Sequence, residues 1–378
     1  MKKVVLIPDS FKGTLSSAKI CEIIENRTKN YFPQCKVVSI PVADGGEGSV
    51  DCFLAALGGE KVFVTVKNPY FEDMTSFFGL IDNGNTAVIE MAACAGLPLV
   101  EDRKNPMKTT TYGVGQLILA AVNRGVKKII VGLGGSCTND GGCGAASAVG
   151  IKFFNDKGEE FIPTGGTLKD IVKIDVSEKN EALKGVEIIT MCDIDNPMYG
   201  PTGAAHVFAP QKGADPEMVL ALDEGLKHLA EVIKKDLNMD VSGIPGAGAA
   251  GAMGAGMIAF FNSKLKMGIE TVLDTVDFDS VIADADMVFT GEGKIDTQSL
   301  RGKVVIGVAK RANKHNVPVV AIVGGADEGI DAAYDLGITS IFTINRLPQD
   351  FSISRYKSVE NMTFAVDNIL RLIKSIRK

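Results

Sequence analysis

Five short segments concentrate the residue types that handle anionic oxygen. Asp9-Ser10-Phe11-Lys12-Gly13-Thr14-Leu15-Ser16 places hydroxyls, one lysine and one glycine just before a helical pattern. Unpaired N–H groups at a helix start, with a lysine beside them, make an anion cradle; the alternative is a Ser16 helix cap with Lys12 as a surface charge. Asp44-Gly45-Gly46-Glu47-Gly48 sets two carboxylates among glycines, where a carboxylate can hold a magnesium ion or accept a hydroxyl proton. Gly132-Leu-Gly-Gly-Ser-Cys-Thr-Asn-Asp-Gly-Gly-Cys-Gly144 carries six glycines in thirteen residues. Its successive N–H groups, with Ser136 and Thr138, suit phosphate oxygens, and Asp140 either caps the next helix or touches a metal. Asp193-Ile194-Asp195-Asn196-Pro197 and Gly291-Glu292-Gly293-Lys294-Ile295-Asp296-Thr297 add carboxylates and a second lysine.

Absent motifs narrow the chemistry. No G-x-x-x-x-G-K-[ST] and no G-x-S-x-G occurs, which excludes a P-loop and a nucleophile elbow. Gly246-Ala-Gly248-Ala-Ala-Gly251 matches G-x-G-x-x-G, but Asp240–Pro245 before it does not read as a strand, so the dinucleotide reading fails its context test. His206, His228 and His315 stand far apart and the seven cysteines form no C-x-x-C pair, which argues against zinc. Carboxylates, lysines and glycine loops without histidine suit phosphoryl transfer, which needs positioning and charge neutralisation more than a strong base.

These loops need strands to carry them. Lys3–Pro8, Lys36–Val42, Met287–Thr290, Val317–Val323 and Thr339–Ile344 read as strands, alternating with helical patterns that include Val50–Leu57, Lys303–Lys314, a helix near Glu328–Leu336 and the strongly periodic stretch from Val359 to Ile376. Such alternation predicts a parallel sheet covered on both faces, with ligands outside the carboxyl ends of its strands. Two strands come from the start of the chain and three from its end. The expected fold is therefore α/β, one discontinuous domain over residues 1–58 and 267–378 with a second α/β domain, 59–266, inserted. The insert should hold strands Lys61–Val66, Thr75–Ile81 and Thr86–Glu90, a turn at Asn83-Gly84, strands Lys128–Gly132 and Val186–Met191, and helices at Tyr112–Asn123, Pro216–Lys235 and Ala247–Phe261.

Composition sets the outer limits. At about 100–200 residues per domain, 378 residues make two or three domains. Lys plus Arg total 40 against 46 Asp plus Glu, a formal charge of −6 with no block of like charge, so no nucleic-acid partner is expected. Reduced thiols and an apolar run too short for a signal peptide ahead of Pro8 point to the cytoplasm. The uncharged stretch Val241–Ser263 is long enough to raise a membrane span, but Pro245 and its many glycines favour a buried, tightly packed helix. No membrane partner is expected; whether the chain forms a homo-oligomer stays open.

The chain resembles the bacterial type I glycerate kinases. The likeness rests on Asp9–Ser16, Ala43–Gly48, Gly132–Gly142, Phe208-Ala-Pro-Gln-Lys-Gly-Ala214, Gly246–Gly251 and Thr290-Gly-Glu-Gly-Lys-Ile-Asp296, and runs in order through the whole chain. Ala252 stands where the family usually has glycine and Met198 where it usually has leucine. The resemblance implies a flavodoxin-like domain with an inserted α/β domain, and ATP- and magnesium-dependent phosphorylation of glycerate, with the 2-position favoured over the 3-position. A kinase for another small hydroxy acid, or a non-catalytic sensor of nucleotide or sugar acid, is the alternative. In that setting Asp193 or Asp44 accepts the substrate hydroxyl proton or holds it through magnesium, and Lys12 and Lys294 neutralise phosphate or the substrate carboxylate. Asp296, with Asp44, binds metal. Ser10, Gly13, Gly134, Gly135, Ser136, Thr138, Gly141 and Gly142 line the nucleotide phosphates, while Glu90 and Glu292 are lesser candidates that could simply pair with a lysine. The segments at 9–16, 44–48 and 290–297 fall in the discontinuous domain and those at 132–144 and 193–200 in the insert. The active site is thus expected in a cleft that closes during turnover.

Overall fold

The computed structural model describes residues 1–43 and 45–376. Asp44, a candidate base and metal ligand, lies outside the described residues. Contacts divide the chain into two compact units, Met1–Asp44 with Ala55–Leu57 and Met267–Lys378, and Gly45–Leu54 with Gly58–Lys266.

In the first unit the strand Lys3–Pro8 is buried at every position. An apolar run without alternation can only be a central strand covered on both faces. Its neighbours are Lys36–Ser39 on one side and Met287–Gly291, Val319–Val323 and Ser340–Thr343 on the other, all parallel. Numbered along the chain, the spatial order is 2-1-3-4-5, so the sheet reverses direction of growth between Lys3–Pro8 and Met287–Gly291. One face buries Val4, Leu6, Phe289 and Ile322 under Ile20, Ile24, Val366 and Leu370 of the helices Ser17–Tyr31 and Ser358–Ile376. Val5, Ile7 and Val288, which alternate with them, are buried as well, and the helix Val304–Lys314 packs on these strands. The helix expected over Glu328–Leu336 is only Ala332–Asp335, preceded by Gly329 in the left-handed region at φ 77°.

The second unit has a six-stranded mixed sheet in the spatial order Lys264–Lys266, Glu187–Met191, Lys128–Gly132, Thr86–Glu90, Asp73–Ile81, Glu60–Lys67. The first four strands are parallel and the last two antiparallel. Glu90 and Met191 both align with Gly132, so three strands end at one level. The helix Pro216–Leu237 shows how local chemistry sets an element. Asp215 accepts from Met218 N–H at 2.8 Å, Pro216 occupies the first turn, lysines 234 and 235 face the negative end, and Asn238 closes in the left-handed region. Three very short antiparallel strands, Lys152–Phe154, Glu160–Phe161 and Lys173–Asp175, were not expected. Strands of two or three residues carry no readable period. Among the described residues no helix is long and apolar enough to cross a membrane.

The first crossing between units differs from expectation. Gly45–Leu54, assigned by pattern to the discontinuous domain, belongs to the second unit. Val50 and Leu54 of the helix Ser49–Leu57 lie over Gly79, where an added Cβ would meet them at 3.0 and 3.6 Å. That helix has no side-chain cap of its own, since its N-cap is the left-handed Gly48. Glu90 supplies one from a distance, accepting from Gly48 N–H at 3.2 Å and Val50 N–H at 2.6 Å.

The uncharged stretch starts its helix, Ala249–Phe261, through three consecutive left-handed residues: Ala250 at φ 55°, Gly251 at 70° and Ala252 at 66°. Each non-glycine residue there costs about 1–2 kcal/mol, so the surrounding packing must enforce the turn. Gly251 lies against the glycine-rich loop, where a Cβ would fall 2.1 Å from Thr138 O and 2.5 Å from Asn139 Cα. Gly251→Ala is expected to cost more than 2 kcal/mol in chemical denaturation. Gly158→Ala, equally left-handed at φ 78° but facing open space, should cost about 1 kcal/mol. Equal losses would mean that the backbone approach at Gly251 is not what requires glycine.

Candidate functional site

The carboxyl ends of the parallel strands in the second unit bring together Gly45–Gly48, Glu90, the loop after Gly132 and the segment containing Asp193. Two backbones cross here without side chains between them. Gly134 N–H donates to Gly45 O at 3.0 Å, and a Cβ on Gly134 would lie 2.5 Å from Gly46 Cα. A Cβ on Gly132 would lie 2.3 Å from Gly45 O.

Beyond this crossing the loop dives inward. Gly134 is half-buried, Gly135 exposed, and every residue from Ser136 to Ala146 is buried. This corrects the expectation of an open cradle. Thr138, Gly141 and Gly142 lie inside the unit, where Cβ atoms on Gly141 and Gly142 would meet Leu229 Cδ2 at 2.4 Å and Met253 Sδ at 3.0 Å. The glycines here serve chain crossings, and the exposed part of the loop is confined to Gly134, Gly135 and the edge at Ser136.

Asp140 takes the capping role rather than the metal one. Its Oδ2 accepts from Thr111 N–H at 2.7 Å, Thr111 Oγ1 at 2.9 Å and Gly144 N–H at 3.3 Å, and Oδ1 from Gly142 N–H at 3.2 Å. Burial pushes this carboxyl up and the bonds from Thr111, Gly142 and Gly144 pull it back. A buried carboxylate so fully engaged organises the loop and the start of the helices Tyr112–Val122 and Cys143–Ala148.

Lys212 is the residue that sequence reasoning passed over. It ends the short turn Pro210–Lys212 and is 2% exposed, with its Nζ donating to Ser136 Oγ at 2.8 Å and Thr138 O at 2.6 Å. Burial pulls its pKa down to about 8, while Cys137 and Asp140 work in the opposite direction. The segment Phe208–Ala214 carries it, but nothing in its pattern separates a buried lysine from a surface one. Asp193 stands half-buried just past the strand Glu187–Met191. Glu90 binds backbone amides, and burial pushes its carboxyl up against those bonds.

The first unit presents its own set at the sheet's reversal point. Asp9 N–H donates to Gly291 O at 2.7 Å, which joins the two loops at their roots. Phe11 and Leu15 are buried and bridge to each other, leaving Lys12 and Gly13 exposed at the tip, and Ser10 N–H donates to Asp9 Oδ1 at 2.6 Å. Ser16 does cap the following helix, accepting from Lys19 N–H at 3.2 Å. Lys294 pairs with Asp327 at 2.8 Å on the surface, where solvent screens the pair and leaves it weak. Asp296 accepts from Gln298 N–H at 2.8 Å and Ser299 N–H at 3.0 Å. Burial pushes it up, but those amides and the Lys303 charge outweigh burial and hold it below the usual carboxylate range.

Glu292 is the strained group of this set. It is 7% exposed, and its Oε1 has no hydrogen-bond partner among the described residues. Burial, reinforced by Asp9 and Asp296, pushes its pKa up to about 7 against the pull of Ser299 and Lys303. Among the described residues no three His, Cys, Asp or Glu side chains are grouped to hold a metal.

The profile of the glycerate kinase family matches residues 4–374. A glycerate kinase of Bacillus cereus is 46% identical over 373 residues, 98% of each chain. A glycerate 2-kinase of Escherichia coli K12 is 44% identical over 343 residues, 90% of each chain. The crystal structure of a protein assigned as glycerate kinase 2 from Salmonella typhimurium LT2 superposes with a TM-score of 0.89 at 38% identity, covering 100% of this chain and 99% of that one. The chain belongs to the glycerate kinase family, and is thus an enzyme that transfers a phosphoryl group to an alcohol.

The raised pKa of Glu292 makes a stability prediction. Below its ordinary value of 4.5 the carboxyl is neutral folded or unfolded; between there and about 7 the unfolded chain gives up its proton first, so the native state is penalised increasingly as pH rises. Glu292→Gln removes that penalty. Relative to the unsubstituted protein it should gain about 3 kcal/mol between pH 4.5 and pH 8 in denaturant titrations. A stability difference that does not change with pH would show that Glu292 ionises normally.

Proposed function

We propose that this enzyme is a type I glycerate kinase that phosphorylates glycerate with ATP and magnesium in the cytoplasm, giving 2-phosphoglycerate in preference to 3-phosphoglycerate. The observation that carries the reading is the Gly134–Gly135 tip, surfacing at the carboxyl end of a parallel strand whose neighbour leads to Asp193, with a buried ammonium behind it. The name of the Escherichia coli relative supports the 2-position.

Gly134, Gly135 and Ser136 receive nucleotide phosphate oxygens, and Ser10, Lys12 and Gly13 offer a second anion-binding loop. Lys12 is exposed at its loop tip, and Lys294 can exchange the weak surface pair with Asp327 for a phosphate or the substrate carboxylate. Asp193 or Asp44 orients the substrate hydroxyl and takes its proton. Magnesium on a nucleotide is commonly held by one or two carboxylates and the phosphates, without an all-protein cage. The ionised, half-buried Asp296 fits that role, with Asp44 as its partner. Bound magnesium would neutralise charge on the transferring phosphoryl group.

Coupled ADP-release assays over a panel of small hydroxy acids, with the product identified by phosphorus NMR, test the proposal. Glycerate should show the highest kcat/KM and yield the 2-phosphate. A better acceptor elsewhere in the panel would move the assignment to another hydroxy-acid kinase, and no turnover at all would favour a sensor. Lys12→Ala is expected to lower kcat/KM about a hundredfold to a thousandfold, as loss of a charge clamp on a phosphoryl group does. An unchanged kcat/KM would place Lys12 on the solvated surface.

A further inference from the structure

The loop between Gly132 and Gly144 has an unusual interior. Thr138 Oγ1 and both amide atoms of Asn139 are buried without a hydrogen-bond partner among the described residues. Cys137 N–H donates to Ala95 O at 2.9 Å, and Thr109 Oγ1 to Cys137 O at 2.9 Å, which fixes the middle residue. The groups on either side, the Ser136 hydroxyl and the Thr138 carbonyl, both go to the Lys212 ammonium. One cation therefore closes a clasp around Cys137, immediately inward of the exposed Gly135.

A buried ammonium is costly, and burying a methionine or leucine in its place would be cheaper for stability alone. Its charge is only partly answered inside the protein. The bonds to Ser136 and Thr138 are to neutral oxygens, and Asp140, the nearby carboxylate, spends its oxygens on Thr111, Gly142 and Gly144 instead of on Lys212. A positive charge is thus left behind a loop tip whose outer face is glycine backbone.

We propose that Lys212 is a positioning residue for phosphoryl transfer, a buried cation that clasps Ser136 and Thr138 to hold the Gly134–Gly135 tip in one shape and biases that tip toward the polyphosphate of the nucleotide. The inference rests on the reading that this tip receives nucleotide phosphates. It assigns Lys212 no contact with the reacting atoms; its effect passes through the loop and through its field, which weakens little over a short path in a medium of low dielectric.

Among the described residues, the titratable groups facing the ammonium are Cys137 and Asp140, both on the loop itself. Burial holds Cys137 as the neutral thiol, with its pKa pushed up to about 12. Any loss of charge at mildly alkaline pH within this cluster therefore belongs to Lys212.

The test uses the full-length enzyme with ATP, magnesium and glycerate, comparing the unsubstituted protein with Lys212→Met, which keeps the length and loses the charge, and Lys212→Arg, which keeps the charge. Lys212→Met should raise KM for ATP at least about tenfold and lower kcat, with a smaller effect on KM for glycerate; Lys212→Arg should recover part of the loss. In the unsubstituted enzyme, KM for ATP should rise as pH passes through about 8, and in Lys212→Arg this rise should move to higher pH. Should Lys212→Met fail to fold, the pH profiles of the other two proteins decide alone. Unchanged ATP kinetics in Lys212→Met, or an unsubstituted enzyme with KM flat between about pH 7 and 9.5, would overturn the proposal. Amide hydrogen exchange on the same samples separates this failure from that of the underlying reading. ATP that slows exchange in the peptide over 132–137 while the Lys212 variants behave normally removes only the role of Lys212. ATP that leaves that peptide unprotected in the unsubstituted enzyme removes the phosphate-binding tip and the role of Lys212 with it.

Discussion

The second unit is organised around a place where two backbones touch. At the carboxyl end of the strand Lys128–Gly132 the chain meets Gly45 and Gly46 closely enough that a Cβ on Gly132 or Gly134 would overlap main-chain atoms. A side chain on either would have to push the backbone at Gly45 and Gly46 away from the strand end. Once the crossing exists, the loop has one direction to go, into the interior. Its later glycines follow from that path, since residues near Leu229, Met253 and Thr110 leave no room for Cβ atoms on Gly141, Gly142 and Gly144.

An inward loop brings polar backbone into an apolar core, and two buried charges answer it. Asp140 collects the N–H groups at the starts of two helices, and Lys212 collects the oxygens of Ser136 and Thr138. Groups like these are expensive to bury and more expensive to strip of one partner. Lys294 and Asp327 show the opposite economy: a surface pair that loses little when a ligand takes one member. Stiffness behind the loop tip and exchangeable charges elsewhere suit a reaction in which phosphate oxygens must be held still while a product leaves. Left-handed Ala250 and Ala252 belong to the same economy, since their strain is tolerated only because Gly251 must lie flat against Thr138 and Asn139.

The parallel sheet of the first unit was legible because Val4–Ile7 and Val319–Val323 are apolar without alternation, which only a doubly covered strand tolerates. The loops at the ends of its strands were legible for the same reason, as strand ends define where they sit. The first crossing between units was misread because Val50–Leu57 is an apolar helix with no mark of which sheet it covers; the deciding contact, at Gly79, involves a residue without a side chain. The glycine-rich loop was recognised as exceptional but read mainly for ligand binding, since local sequence does not distinguish a glycine needed by a phosphate from one needed by a neighbouring backbone. Lys212 and the capping role of Glu90 were hidden because both act on groups far away in sequence, and hydrophobic periodicity carries no information about a single buried charge.

We propose that only the tip of the glycine-rich loop meets the nucleotide, while the rest is internal framework. Backbone amide resonances of a deuterated, nitrogen-15-labelled sample, followed while ATP and magnesium are added, test it residue by residue. The account predicts the largest shifts within the loop at Gly134, Gly135 and Ser136, with Gly141, Gly142 and Gly144 nearly unmoved. Shifts of equal size along the whole loop, or shifts confined to residues 141–144, would contradict it.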